Sequence, residues 1–201
     1  MRQDALQVRR FTQDKINQIL RAQESAARAA LANLRRGLGK PPGALPQLWG
    51  LTLEGLPEAL YSKDGQPSRA EWAVYTALTL FALHQQGKDL KSECMNRQDS
   101  SLGKAVRRLA PAEDDLPRVK RRFDAAATAD SPAEFAHHLK GLVQLLKAMD
   151  IPLDYPALAE DLYFFQHPGA RDRVRLRWGQ DFYRAAPEDQ AREDNKSNNL
   201  E

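Results

Sequence analysis

Residues 67–84 constrain the fold more than any other stretch. Ser68-Arg69-Ala70-Glu71 directly follows Pro67. It has the form of a capping box, in which hydroxyl and carboxylate each satisfy an exposed backbone donor, so a helix starts there. From Trp72 to Leu83 that helix is apolar nearly all round, with Val74, Tyr75, Ala77, Leu78, Leu80, Phe81 and Ala82 on every face. A helix without a polar face has to be enclosed by other elements. The rest of the chain must therefore supply a wall around it.

The wall reads as helical. From about Arg9 to Leu38 the positions Leu20, Ala27, Leu31, Leu34 and Leu38 recur at heptad-like spacing, predicting one long helix. Gly37, Gly39 and Pro41-Pro42 end it, since glycine suits the left-handed C-terminal position and proline cannot continue a helix. Residues 45–60 are expected to form a loop with a short helical piece whose Trp49 plugs the core, and Lys88 to Asp99 is a polar connection with no assigned role. Ser131-Pro132-Ala133-Glu134 is a second start signal, followed by Phe135, Leu139, Leu142, Leu146 and Met149 on one face. Leu158, Leu162 and Phe165 mark a short helix, and Val174, Trp178 and Phe182 mark the last. Arg171, Arg173, Arg175 and Arg177 alternate along that last helix, which spreads them over two faces.

The expected fold is all-α, a bundle of about seven helices with no repeat of fixed period. A break from Pro111 to Pro117 divides an N-terminal part, 1–110, from a C-terminal part, 111–186, of one compact unit. Residues 187–201 are polar and are expected to be a disordered tail. Trp49, Trp72 and Trp178 are taken as core anchors rather than platforms for bases.

Charge is segregated along the chain. The net charge of +3 conceals 17 Lys/Arg against 10 Asp/Glu in residues 1–110, and 13 against 17 in 111–201. On a helix, Leu102, Ala105, Val106 and Leu109 fall on one stripe while Lys104, Arg107 and Arg108 fall on the other. Beyond the break, Arg118, Arg121 and Arg122 repeat the pattern beside Val119, Phe123 and Ala126. Two basic patches on a small protein point to a polyanion. The plain alternative is a solvated outer face, which any amphipathic helix presents.

Catalytic and metal chemistry finds little material. Cys94 is the only cysteine, so no intrachain disulfide and no cysteine-rich zinc site can form. His137 and His138 are adjacent and diverge, and His84 and His167 stand apart, so no metal and no cofactor is expected. Glu160-Asp161 and Glu113-Asp114-Asp115 could be enlisted for a two-metal nuclease, but first-turn or surface roles suit adjacent acids better. Nothing after Met1-Arg2-Gln3-Asp4 has the apolar run of a signal peptide, and no stretch approaches a membrane span. A cytoplasmic location is expected.

Several short motifs recur in an order that resembles the CasB family, the small subunit of the type I-E Cascade complex of bacterial CRISPR systems. They are Leu34-Arg35-Arg36-Gly37-Leu38-Gly39 followed by proline and Trp49, Ala73 to His84-Gln85, and Ser101-Leu102-Gly103 with Arg107-Arg108-Leu109. Arg121-Arg122-Phe123, Leu153-Asp154-Tyr155, Leu158, Asp161-Leu162, Trp178-Gly179 and Phe182-Tyr183 complete the series. The resemblance implies a helical, non-enzymatic subunit in antiviral defence, paired head-to-tail with a second copy and contacting other Cascade subunits. It implies DNA-binding and RNA-binding without sequence preference, with crRNA and target DNA, single- or double-stranded, as partners. The subunit would stabilise the guide–target loop and the displaced strand while base pairing supplies specificity. Carried to matching positions, the contacts are Arg35 and Arg36, Lys104, Arg107 and Arg108, and Arg121 and Arg122. Arg21 and Arg28 join them by periodicity alone. A helical scaffold whose basic patches meet acidic protein surfaces is the competing expectation.

Overall fold

The computed structural model describes residues 1–184, and these are all-α. The tail expected at 187–201 lies outside them. Nine α-helices follow in order: α1 (Arg2–Arg21), α2 (Glu24–Arg36), α3 (Trp49–Thr52), α4 (Arg69–His84), α5 (Leu102–Arg107), α6 (Leu116–Thr128), α7 (Pro132–Ala148), α8 (Tyr155–Phe165) and α9 (Pro168–Arg184). Among the described residues the only strand-like pairing is an isolated parallel bridge between Asn96 and Leu153.

The capping box forms as the sequence predicts. Ser68 Oγ accepts from Glu71 N at 3.1 Å, and Glu71 Oε2 accepts from Ser68 N at 2.7 Å. The helix it starts, α4, is the axis of the bundle: from Ala70 to His84 every residue is buried except Trp72. α1, α2, α7 and α8 pack around it. α9 runs against α8 and α5, and an aromatic cluster joins this side to the rest. Phe135 of α7 lies 4.2 Å from Phe165 of α8 and 5.6 Å from Trp178 of α9, while Phe123 of α6 stacks on Phe182 at 5.4 Å. Such contacts add to burial through the rings' quadrupoles.

Three expectations are corrected. The long helix from Arg9 to Leu38 is two helices, because Ala22 takes an extended backbone (φ −68°, ψ 159°) between α1 and α2. The break lets α1 lie along α8 while α2 lies along α4, and this split together with the one-turn α3 raises the count from about seven to nine. Trp49 is 50% exposed and does not plug the core; Leu48, Leu56 and Leu60 are buried there instead. Gly37 is not left-handed (φ −77°), and the left-handed residue is Gly39 (φ 76°). Position 37 excludes a side chain for another reason: a Cβ there would stand 2.6 Å from the Tyr75 hydroxyl, which donates to Gly37 O at 3.0 Å.

The connection from Lys88 to Asp99 has a structural role. The Gln85 side chain donates to Asp89 O and Glu93 O at 3.3 and 3.1 Å and accepts from Met95 N at 2.9 Å. Asn96 Oδ1 then accepts from Tyr155 N at 3.0 Å. The segment thus ties the end of α4 to the start of α8, satisfying backbone groups that a buried loop would otherwise leave unpaired.

Candidate nucleic-acid interface

α5 is short, and its position is set by α9. Leu102, Gly103, Ala105 and Val106 are buried, and Ser101 caps the helix while donating to Asp181 Oδ2 of α9 at 2.6 Å. This orientation turns Lys104 outward. Its ammonium reaches Asp99 O at 3.3 Å, and Asp99, itself left-handed at φ 64°, donates its N–H to Asp154 Oδ2 at 3.1 Å. Arg107 points inward, donating to Ala110 O and lying 3.7 Å from Glu113 with its side chain 14% exposed. It braces the turn into the proline-bounded break. Arg108 ends the helix half-buried, with contacts of its own.

α6 packs beside α5 and buries Val119, Phe123 and Ala126, so Arg121 and Arg122 stand on its exposed side. Arg118 is paired with Asp115 at 3.0 Å and Lys120 with Asp124 at 2.6 Å. Among the described residues neither Arg121 nor Arg122 is held in an ion pair. Lys104, Arg121 and Arg122 are exposed on two neighbouring helices and outside ion pairs among the described residues, and exposed cations of that kind can meet phosphates without reading bases.

Arg35 and Arg36 belong to a different part of the surface, at the C-terminal end of α2, which packs on α1 and α4. Arg36 is exposed and Arg35 half-buried. Near Arg35 the fold gathers Lys88 and Lys147: burial first, then the charges of Lys88 and Arg35, push the Lys147 ammonium pKa down. Lys88 is paired with Asp150, and Lys147 donates to Gln86 Oε1 at 3.2 Å. No sequence pattern joins residues 35, 88 and 147. Only the packing does. Arg28 pairs with Glu24 along the exposed face of α2, and Arg21 is exposed at the end of α1.

The acidic candidates are engaged. Glu160 accepts from Arg9 at 3.1 Å. Asp161 is buried, and it accepts from Trp178 Nε1 at 2.5 Å and from Arg177. Of the alternating arginines, Arg171 donates to Phe165 O at 3.0 Å and Arg175 to Ala127 O at 2.6 Å, so they serve as braces for α9. Among the described residues no group of three or more His, Cys, Asp or Glu is placed to hold a metal ion, and no helix is long and apolar enough to cross a membrane.

The sequence model of CRISPR-associated protein Cse2 matches residues 30–183. The chain belongs to the Cse2 family. CasB from Thermobifida fusca has a similar structure, with TM-score 0.74 and 35% identity over 90% of this chain and 98% of that one. M. ruber CasB superposes with TM-score 0.66 over 90% and 97% of the two chains, and at 22% identity it supports the fold alone. No curated protein matches the sequence. Cse2, or CasB, is a structural subunit of the CRISPR Cascade complex, and the resemblance drawn from the sequence motifs is to this family.

Proposed function

We propose that this Cse2-family chain is a non-catalytic Cascade subunit that holds nucleic-acid backbones without reading sequence. It steadies the pairing of crRNA with target DNA and keeps the displaced strand apart, next to other Cascade subunits and a second, head-to-tail copy of itself. The observation that supports this best is the outward set of Lys104, Arg121 and Arg122 on adjacent helices, with both arginines outside any ion pair among the described residues. Arg107 and Arg108 form the inner edge of that surface, and Arg35 and Arg36 make a second contact region on α2. Strand exchange in RNA-guided recognition is nearly balanced, so a few backbone contacts suffice to tip it.

The test is anisotropy binding of unrelated labelled single strands and duplexes over a salt series. The wild-type protein is expected to bind all sequences alike, with affinity falling steeply as salt rises. Replacing Lys104, Arg121 and Arg122 by Ala removes three candidate phosphate contacts, so the logarithmic salt slope on single strands should become shallower by about 2. Arg107→Ala should change that slope less and lower thermal stability instead, since its guanidinium braces the turn after α5. A triple variant with an unaltered slope and intact helical circular dichroism removes this surface from the interface.

A further inference from the structure

A groove of about 570 Å³ opens between α4, the N-terminal half of α7 and the loop that follows α2. It shares no lining residue with α5 or α6. Trp72, the one residue of α4 between Ala70 and His84 with access to solvent, faces into it, and Pro41, Pro67, Leu38 and Ala136 form its sides. Two of the three hydroxyls along its floor are already used: the Tyr75 hydroxyl donates to Gly37 O at 3.0 Å and the Thr79 hydroxyl to Thr76 O at 3.1 Å. Such a floor rewards an apolar side chain and penalises a polar one, which would be buried without a partner. Its walls are stiff, with prolines on both sides and Gly39 in the left-handed conformation, so little ordering is lost on binding.

The rim is charged in one sense. Lys40, His137 and Lys140 are exposed there, and none of the lining residues is acidic. From the groove's apolar floor and its cationic rim we infer that it docks a segment of a partner protein, one that inserts a Leu or aromatic side chain flanked by Asp or Glu. A nucleic-acid strand suits it less. No arginine lines the groove, and a base seated on Trp72 would bring its polar edges against a floor whose Tyr75 and Thr79 hydroxyls are already committed. The groove would then be a protein-binding face apart from the nucleic-acid face of α5 and α6.

The probes are fluorescein-labelled 15-residue peptides tiled across the other Cascade subunits, titrated against the full chain. Peptides with an apolar residue beside at least two carboxylates are expected to bind. Ala136→Glu, which places a carboxylate in the groove, should weaken them at least tenfold, with oligonucleotide binding unchanged. Lys40→Glu/Lys140→Glu, confined to two exposed side chains and so harmless to packing, should weaken the peptides as much. The inference is overturned if no such peptide binds, if binding ignores both variants, or if the variants weaken oligonucleotides instead of peptides. Because the salt series on oligonucleotides is read separately, loss of the peptide result leaves the nucleic-acid proposal standing, and the reverse also holds.

Discussion

Gly103→Ala is expected to destabilise the protein by about 3 kcal/mol, at the upper end of what overpacking a well-fitted contact costs. A Cβ at position 103 would run into the Trp178 carbonyl oxygen and stand 2.8 Å from Asp181 Cβ and 3.0 Å from Phe182 N. Two of these three are backbone atoms of α9, which cannot rotate out of the way, so α5 and α9 would have to separate. Helix propensity favours Ala over Gly by about 1 kcal/mol, so the clash wins. Gly141, in the middle of α7, has nothing within 4 Å of a built Cβ, and there Gly→Ala should stabilise by up to about 1 kcal/mol. The two substitutions are chemically identical and should move the thermal midpoint in opposite directions, Gly103→Ala downwards by about 10 °C. Separation of α5 from α9 also strains the 2.6 Å bond from Ser101 to Asp181, so Lys104 loses its fixed direction. Equal midpoints for the two variants would show that the crossing is not as tight as the geometry makes it.

The contrast between Gly103 and Gly37 bears on what a sequence reveals. Both occur in motifs on which the resemblance to the CasB family was drawn, yet neither is needed for backbone freedom; each is a point where another group comes too close for a side chain. The caps and the apolar axis were legible because they depend on neighbours three or four residues away, as with Ser68 and Glu71 or Ser131 and Glu134. Lys104, Arg121 and Arg122 were legible as outward residues for the same reason, since helical period separates them from Val106 and Phe123. The kink at Ala22 was not, because neither glycine nor proline marks it and only the fit of α1 to α8 calls for it. Arg107 shows the limit within a single motif. Periodicity places it with Lys104, but its partner, the Ala110 carbonyl, exists only once the chain turns at Pro111. The gathering of Lys88 and Lys147 beside Arg35 is a product of tertiary packing that no local window contains.

Stability between pH 4 and 6.5 should reflect two buried groups acting in opposite senses. His84 lies within the core, its Nδ1 2.9 Å from the Tyr155 hydroxyl, and burial, aided by the charges of Lys88 and Lys147, pushes its pKa down to about 4. As pH falls from 6.5 the unfolded chain protonates this histidine while the folded one does not, so stability is lost. Asp161 is the opposite case. Burial raises its pKa to about 6 against the opposing pull of Arg177 and Trp178, so between pH 6 and 4 the folded state takes up a proton that the unfolded state does not, and stability is gained. Each shift exceeds two pH units, so each group alone contributes about 3 kcal/mol across this window, and together they nearly cancel. Asp4, Asp89 and Glu134 have lowered pKa values and cost stability as pH falls through the ordinary carboxylate range at the acid end of this window and below it, equally in every variant. His167, whose pKa burial also lowers, adds to the loss on acidification, so urea unfolding of the wild type should show a modest fall in stability from pH 6 to 4. Relative to the wild type, Asp161→Asn should lose about 2 kcal/mol more on acidification over that span, and His84→Gln about 2 kcal/mol less. The readout is the slope rather than the absolute stability, so packing defects introduced by either change do not confound it. Parallel slopes for the two variants would mean that the core does not hold these groups in the opposite protonation states that their surroundings dictate.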